Sequence, residues 1–147
     1  MERVKTLLDE YQVKTVMQVG TPAPPETYGG RAVTTFSQVS APGEWVPGNP
    51  IDTIQAYPEK KFDFIFINNE PGYSYDNSLG LLHICRRLAH KDTLVVMTGI
   101  VSKSENFTWA NDGAVRAWGD IREDRLLSQL FSEDYTVGEG LAAGRYV

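Results

Sequence analysis

The segment FDFIFIN, residues 62–68, decides the fold. It contains an uninterrupted apolar run, Phe64–Ile67, with one acidic residue near its start. Such a run is typical of a strand whose two faces are both buried, whereas a strand with one solvent face alternates apolar and polar residues. Because a strand of this kind needs helices on both sides of its sheet, the segment predicts an α/β fold. Phe62–Ile67 is then the central strand of a parallel sheet.

A second buried strand follows at the spacing of a strand–helix–strand unit. LVVMTG, residues 94–99, is again apolar and ends at a glycine. Asp76 is a candidate N-cap for a helix over Asn77–Ala89, which would make the right-handed crossover between the two strands. The inner face of this helix is predicted to carry Leu79, Leu82, Ile84 and Leu88.

The residues before the central strand give weaker signals. KTVMQVG predicts a buried first strand over Thr15–Val19, and RAVTTFSQV, residues 31–39, predicts a second because it is rich in β-branched residues. Between them, TPAPPETYGG contains three prolines and two glycines, which exclude an early regular helix. Residues 40–50 are predicted to form a loop. Ile51–Tyr57 is predicted to form either one helical turn or a short edge segment.

The last third of the chain is predicted to add a helix and a hairpin. Residues 101–112 are mostly polar and are predicted to form a loop, and the apolar spacing over Gly113–Leu130 predicts a helix. DYTVGEGLAAGRYV, residues 134–147, predicts two antiparallel strands joined around residues 138–140. The sheet is therefore expected to be mostly parallel and to end in an antiparallel hairpin.

Size and composition favour one globular domain over residues 1–147. The chain is 41% hydrophobic and 22% charged, which is ordinary for a folded protein. Its net charge of −5 disfavours nucleic acids and anionic membranes as partners, because both attract positive surfaces. A single cysteine, Cys85, excludes an intrachain disulfide and fits the cytoplasm. We interpret Cys85 as a buried small hydrophobic residue. The sequence shows neither a membrane-spanning stretch nor a signal-peptide core.

The order of these segments resembles the class I S-adenosylmethionine-dependent methyltransferases. KTVMQVG is similar to the family's first strand, and residues 59–99 are similar to its fourth strand, following helix and fifth strand. GYSYDN, residues 72–77, is similar to a His-Ser-Tyr-Glu stretch of small-molecule O-methyltransferase-like members. GAVRAWGDIRED, residues 113–124, resembles the next helix, and GLAAGRYV resembles the last strand.

The resemblance implies a three-layer Rossmann-like domain that is reduced between the first and fourth family strands. Only 43 positions separate Gly20 from Asp63, which is short for the helices and strands that the family places there. In open α/β sheets, ligands bind at the carboxyl ends of the strands. The resemblance therefore implies an S-adenosylmethionine site formed by residues at those ends, namely Gly20, Thr21, Asn68, Asn69 and Thr98.

The candidate catalytic and substrate residues follow the fourth and fifth strands. Glu70 is the acid beside the end of the central strand and is the candidate general base. Tyr73, Tyr75, Trp109 and Arg116 are candidates for contact with a small-molecule substrate, with loop packing or solvent exposure as the alternative for each.

Some family features are replaced in this sequence. The glycine-rich first loop reads Gly-Thr-Pro-Ala-Pro-Pro, and the acid that holds the cofactor ribose has no clear counterpart. Glu44 lies in the right general region, with an exposed loop charge as the favoured alternative. The strands ending at Asn68 and Thr98 are not followed by the acid pair of metal-dependent members, so we expect no metal site. Asp63 lies at the entrance of its strand and is interpreted as structural. His90 is interpreted as a cap for the carboxyl end of the preceding helix.

Two functions remain open at this stage. The first is a methyltransferase that uses S-adenosylmethionine on a small acceptor. The second is a catalytically inactive protein of the same fold that serves as a binding, regulatory or self-associating module, with a protein partner or as a homo-oligomer. A phosphate-binding Rossmann-like enzyme is a weaker alternative, because neither GxxxxGK[ST] nor GxGxxG occurs.

Overall fold

The structure is a computed structural model that describes residues 2–69, 74–100, 109–133 and 140–147, with only the backbone described for residues 109–112. These ranges contain four α-helices and seven β-strands. The helices are α1 (Glu2–Glu10), α2 (Pro50–Ala56), α3 (Tyr75–Cys85) and α4 (Trp109–Glu123). The strands are β1 (Thr15–Gly20), β2 (Ala32–Ser37), β3 (Glu44–Pro47), β4 (Phe62–Asn68), β5 (Ala89–Thr98), β6 (Leu127–Glu133) and β7 (Leu141–Tyr146).

The strands form one sheet in the order β3-β2-β1-β4-β5-β7-β6. Strands β1 to β5 run parallel, and β7 runs antiparallel to both β5 and β6. β4 occupies the fourth of seven places. The predicted central strand and the mostly parallel sheet that ends in an antiparallel hairpin are therefore confirmed.

Both faces of the sheet are covered, as the apolar run in β4 predicts. Ile65 and Ile67 pack on one face with residues of α2, α3 and α4. Phe64 and Phe66 pack on the other face with α1. Because successive side chains of a strand point to opposite faces, this one run supplies both cores. Cys85 is buried in the first core, where burial raises the pKa of its thiol well above the usual value.

Compared with the family pattern, the segment between β1 and β4 has its strands but fewer helices. The proline-rich loop forms only a short 3-10 helix, Pro25–Tyr28, and residues 38–43 join β2 to the parallel β3 without a helix. The prediction that residues 40–50 form only a loop was wrong, because they contain β3. This edge strand is short and largely exposed, so its sequence carries no burial pattern. The helical alternative for Ile51–Tyr57 is confirmed by α2.

Helix α3 begins and ends earlier than predicted. Its N-cap is Ser74, whose Oγ accepts a hydrogen bond from Asn77 N at 3.1 Å, so Asp76 lies in the first turn instead. There its charge is still favourable beside the positive end of the helix. The helix ends at Cys85, continues as one 3-10 turn, and β5 begins at Ala89. Its buried residues are Ser78, Leu81, Leu82 and Cys85, while the predicted Leu79 and Ile84 are only partly buried.

The predicted helix over Gly113–Leu130 was wrong at both ends. Helix α4 spans Trp109–Glu123, so it begins inside the predicted loop, and Leu127 and Leu130 belong to β6. Arg125 stops the helix with a φ of +60°, while Leu126 N donates to Ile121 O at 3.1 Å, which is a Schellman-type ending. The hairpin strands are therefore β6 and β7. Most of the first predicted hairpin strand, and residues 138 and 139 of its turn, lie in 134–139, outside the described residues.

Asp63 links three strands at the edge opposite the carboxyl ends. Its Oδ2 accepts hydrogen bonds from Lys14 N at 3.0 Å and Thr15 N at 3.2 Å, and its Oδ1 lies 2.9 Å from His90 Nε2. His90 lies in β5, so its predicted capping role was wrong. Burial alone would raise the pKa of Asp63, but the bonds from His90, Lys14 and Thr15 outweigh burial and lower it below the usual value.

Replacing Asp63 by alanine is expected to lower the free energy of unfolding by about 1–2 kcal/mol at pH 7, because Lys14 N, Thr15 N and His90 lose a charged acceptor at a partly exposed position. Since the pKa of Asp63 is lower in the folded state, its stabilisation is complete above the unfolded pKa of about 4. That stabilisation is lost as the pH falls through the folded value. Urea unfolding at pH 7 and pH 3 measures both effects.

The matched control is Asp92→Ala, which removes an exposed carboxylate from the same strand as His90 and leaves the Asp92 backbone N–H in place. We expect it to change stability by less than about 0.5 kcal/mol. An equal loss of stability for Asp63→Ala at both pH values would contradict the role assigned to the carboxylate.

Candidate functional site

The carboxyl ends of three neighbouring strands form the candidate site. Gly20 of β1 is level with Asn68 of β4, and the parallel register of β4 with β5 brings Asn68 beside Thr98. Five residues that the sequence predicts for the cofactor site are therefore adjacent in the structure. Their role in binding stays a prediction. They are Gly20, Thr21, Asn68, Asn69 and Thr98.

A buried hydrogen-bond network joins the ends of β4 and β5. The Thr98 hydroxyl donates to Asn68 Oδ1 at 3.0 Å and accepts from Asn69 N at 2.9 Å. Asn69 Nδ2 donates to Thr98 O at 2.8 Å. These bonds hold both asparagines in fixed orientations at the edge where ligands bind in sheets of this type.

The loop after β1 is attached to the same edge. Thr21 N donates to Asn68 O at 3.1 Å, and Asn68 Nδ2 donates to Thr21 O at 2.8 Å. Gly20, just before this pair, is buried and has a φ of +96°. A glycine is favoured at this φ, and its missing side chain leaves the backbone open to close approach.

The side-chain oxygen of Asn69 is the unsatisfied group of this site. Asn69 Oδ1 is buried and accepts no hydrogen bond from the part of the chain that the structure describes. Burying such an acceptor without a partner costs about 1–3 kcal/mol, so it is a candidate contact for a ligand donor. Gly99, with a φ of +80°, keeps the backbone beside it free of a side chain.

Gln18 is a buried polar residue that the sequence reasoning missed. Its Nε2 donates to Thr35 Oγ1 at 2.9 Å, and its Oε1 accepts from Ala23 N at 2.7 Å and from the Tyr28 hydroxyl. The sequence contains a signal for this role, because Gln18 is a polar residue within the apolar run Val16–Val19. Gln18 fixes the loop after β1, and burial raises the pKa of Tyr28 above its usual value.

Glu44 does not occupy the position expected of a ribose-binding acid. It begins β3, three residues before Pro47, which is level with Ser37 at the end of β2. At about 3.3 Å per residue, Glu44 lies roughly 10 Å below the ligand edge. There it accepts a hydrogen bond from the Tyr57 hydroxyl, whose pKa is raised by burial and by this bond. The structure therefore contradicts a ribose contact and agrees with the alternative, an exposed charge, although Glu44 lies in an edge strand and not in a loop.

Two of the predicted substrate residues meet between α3 and α4. The Arg116 guanidinium lies over the Tyr75 ring, 4.8 Å from its centroid, and the Tyr75 hydroxyl donates to Asp120. The bond to Asp120, followed by burial, raises the pKa of Tyr75. This arrangement leaves the cation at the surface and fixes its position through the ring.

The remaining predicted residues fall outside what the structure describes. Glu70 and Tyr73 lie within 70–73, and Trp109 begins α4 with only its backbone described. Among the described residues, no group of three His, Cys, Asp or Glu side chains could hold a metal ion. None of the helices within the described ranges is long and apolar enough to span a bilayer.

Comparison with known proteins identifies the fold. No family model and no curated protein matches the sequence. The structure is similar to SAH-bound methyltransferase PaMTH1 of Podospora anserina, with a TM-score of 0.72 and 11% identity over 99% of this chain and 76% of that chain. A putative caffeoyl-CoA O-methyltransferase of Staphylococcus aureus gives a TM-score of 0.73 and 15% identity over 99% and 82% of the two chains.

A third similar structure is the N-methyltransferase NodS of Bradyrhizobium japonicum. Its TM-score is 0.70 at 14% identity, over 99% of this chain and 94% of that chain. At such low identities the similarity shows the fold alone. The chain has the Rossmann-like fold of class I S-adenosylmethionine-dependent methyltransferases, as its sequence resemblance implies.

Proposed function

We propose that this protein binds S-adenosylmethionine at the carboxyl ends of β1 and β4 and acts as a methyltransferase on a small acceptor. The observation that carries the proposal is the buried Asn69 Oδ1, which has no hydrogen-bond partner among the described residues and lies at the carboxyl edge of a methyltransferase fold. An unsatisfied acceptor is retained where a bound ligand supplies the missing donor.

The chemistry of the edge fits the amino-acid part of this cofactor. S-adenosylmethionine carries an ammonium group, and Asn69 Oδ1 would accept a hydrogen bond from one of its N–H groups. Gly20 would let the ligand approach the backbone of β1, because it is buried and has no side chain. When bound, the cofactor supplies an electrophilic methyl group.

The ribose contact would differ from the family pattern. Ser37 ends β2 with its Oγ accepting from Val39 N at 3.0 Å, and residues 38–43 contain no acid. A carboxylate that accepts hydroxyl hydrogen bonds contributes more than a neutral group. We therefore expect weaker cofactor binding than a site with that acid would give.

The acceptor side of the proposed site is formed by the start of α3 and the middle of α4. Arg116 lies over Tyr75 there, and its charge favours an acceptor that carries a negative group. Glu70 stays the proposed general base, and Tyr73 and Trp109 stay proposed substrate contacts.

Isothermal titration with S-adenosylmethionine and S-adenosylhomocysteine tests the proposal. We expect saturable heat with both ligands. We expect affinity about 10- to 100-fold weaker in Asn69→Ala, because a hydrogen bond to a charged group contributes about 1.5–3 kcal/mol. The matched control is Gln55→Ala, which removes an exposed amide on α2 and should leave affinity unchanged.

The melting temperature of each variant should be measured alongside, since Asn69 also bonds to Thr98. If neither ligand gives heat or a thermal shift at millimolar concentration, cofactor binding is refuted. Binding that is equal in wild type and Asn69→Ala would retain the function but remove Asn69 from it.

A specific observation also favours the second candidate, an inactive binding or self-associating module. The paired hydrogen bonds between Thr21 and Asn68 attach the proline-containing loop directly to β4. These bonds, together with the lack of a long helix between β1 and β2, would close the cofactor cleft when no ligand is bound. Light scattering that shows a stable oligomer, combined with no heat in the titration above, would support this candidate over the first.

A further inference from the structure

A second cavity lies on the side of the sheet, away from the strand-end site. It is half open to solvent, has a volume of about 170 Å³ and is bounded by the 3-10 helix Pro25–Tyr28, the start of β2 and the loop before β3. Tyr28 and Pro25 line one side, and Val33, Pro42 and Gly43 line the other. The cavity exists because the chain passes from β2 to β3 without a helix. Parallel strands are normally covered on both faces by helices. Without a helix between β2 and β3, part of this face stays uncovered.

The residues that line this cavity are mostly apolar. They include Pro25, Pro42 and Tyr28, and the Tyr28 side chain is itself largely buried. A Cβ added at Gly30 would meet no described atom within 4 Å, so this part of the wall is bare backbone facing open space.

The polar side chains at the cavity are largely engaged elsewhere. Gln18 bonds to Thr35, Ala23 and Tyr28. The Arg31 guanidinium donates to Val13 O at 2.7 Å and forms an ion pair with Asp9 at 2.8 Å. A water needs two to four polar partners to be held well, and these walls offer few. An apolar occupant is therefore favoured over ordered water.

We propose that this cavity is a binding site for a small, uncharged, planar aromatic molecule between benzene and indole in size. An apolar cavity of about 150 Å³ in another protein binds benzene, so the volume is adequate. A planar ring is favoured because the lining includes one aromatic residue and two prolines, whose rings can pack against it. A charged ligand is disfavoured, because the one cation at the cavity, Arg31, is already paired with Asp9.

This site is independent of the proposed cofactor function. Its residues lie on the face of β1 and β2 that α1 and the 3-10 helix cover, whereas the cofactor residues lie at the strand ends. Either site can therefore be refuted without affecting the other.

The test is titration of the 15N-labelled protein with indole, followed by amide chemical shifts. We expect saturable shifts at Gly30 and Gly43 with a Kd of about 1 mM or tighter, which is ordinary for a ligand of this size. Val33→Phe places a larger side chain in the cavity and should weaken binding at least about tenfold. Val39→Phe makes the same substitution at an exposed position outside the cavity and should leave binding unchanged.

Val33→Leu is the second variant, since it adds less volume and is the safer substitution if Val33→Phe does not fold. It should weaken binding less than Val33→Phe. Absence of saturable shifts in the wild type would overturn the proposal. So would indole binding that Val33→Leu and Val33→Phe leave unchanged, or shifts that centre on other residues.

Discussion

Replacing Phe66 by alanine is expected to lower the free energy of unfolding by about 3–5 kcal/mol, the usual cost of removing a buried phenylalanine ring. Phe66 is fully buried in β4, and its ring centroid lies 6.4 Å from that of Phe64. It is level with Gln18 of β1 and Val96 of β5, so the cavity would open at the centre of the sheet. The surrounding strands are hydrogen-bonded on both sides and cannot collapse into the space.

Urea unfolding followed by circular dichroism measures this loss. Domains of this size are typically stable by about 5–15 kcal/mol, so the variant should lose a large part of its stability. The control is Val39→Ala, at an exposed position, which should change stability by less than about 0.5 kcal/mol. A loss below about 1 kcal/mol for Phe66→Ala would show that β4 is not the tightly packed centre described above.

Replacing Gly140 by alanine is expected to destabilise the protein by about 2–4 kcal/mol. Gly140 has a φ of +65°, and an added Cβ would lie 2.6 Å from Ile100 O and 3.0 Å from Glu133 O. Both contacts are with backbone atoms, which cannot rotate away as a side chain can. The residue precedes β7, so the substitution should disturb the pairing of β7 with β5 and β6.

The same substitution at Gly119 is expected to have the opposite sign. Gly119 lies inside α4, and an added Cβ there would meet no described atom within 4 Å. Alanine in a helix interior is favoured over glycine by about 1 kcal/mol. Thermal unfolding of Gly140→Ala and Gly119→Ala should therefore shift in opposite directions. A neutral Gly140→Ala would contradict the close approach of the hairpin to the end of β5.

The two proposed sites have a common structural origin in the segment between β1 and β4. This segment keeps β2 and β3 but has only a short 3-10 helix and α2. The proline-containing loop brings Thr21 onto Asn68 at the proposed cofactor edge, and the missing crossover helix opens the cavity beside Val33. The short connections between β1 and β4 thus change what covers the sheet, while the strand order is the same as in other proteins of this fold.

Sequence reasoning identified the strands that are buried on both faces, because burial dictates an unbroken apolar run. FDFIFIN and LVVMTG were found for this reason, and their order indicated the fold. The exposed strands β3 and β6 were missed because strands with many solvent-facing residues have no unbroken apolar run in the sequence. The first residues of β6 were predicted as part of the preceding helix. That helix ends through a left-handed backbone conformation at Arg125, which the identity of the residue does not predict.

The candidate site was predicted in its strand-end residues but not in its contacts. Gly20, Asn68 and Thr98 were found because they directly follow apolar runs. The sequence left Glu44 open between a ribose contact and an exposed charge, because the height of a residue in a sheet depends on strand register and not on its place in the chain. Gln18 was overlooked, although a polar residue in a buried strand needs partners somewhere.

The sequence by itself determined the central strand, the parallel sheet and the residues at its carboxyl edge, because local apolarity and chain order suffice for these. Only the tertiary structure decided that Asn69 Oδ1 is buried with no partner in the described part of the chain, that Asp63 pairs with His90, and that a cavity lies beside β2. Each of these depends on atoms far apart in the chain, and the pairing of such atoms is set by packing and register. FDFIFIN therefore indicates where the carboxyl edge of the sheet lies, while the tertiary structure decides which atoms lie at that edge.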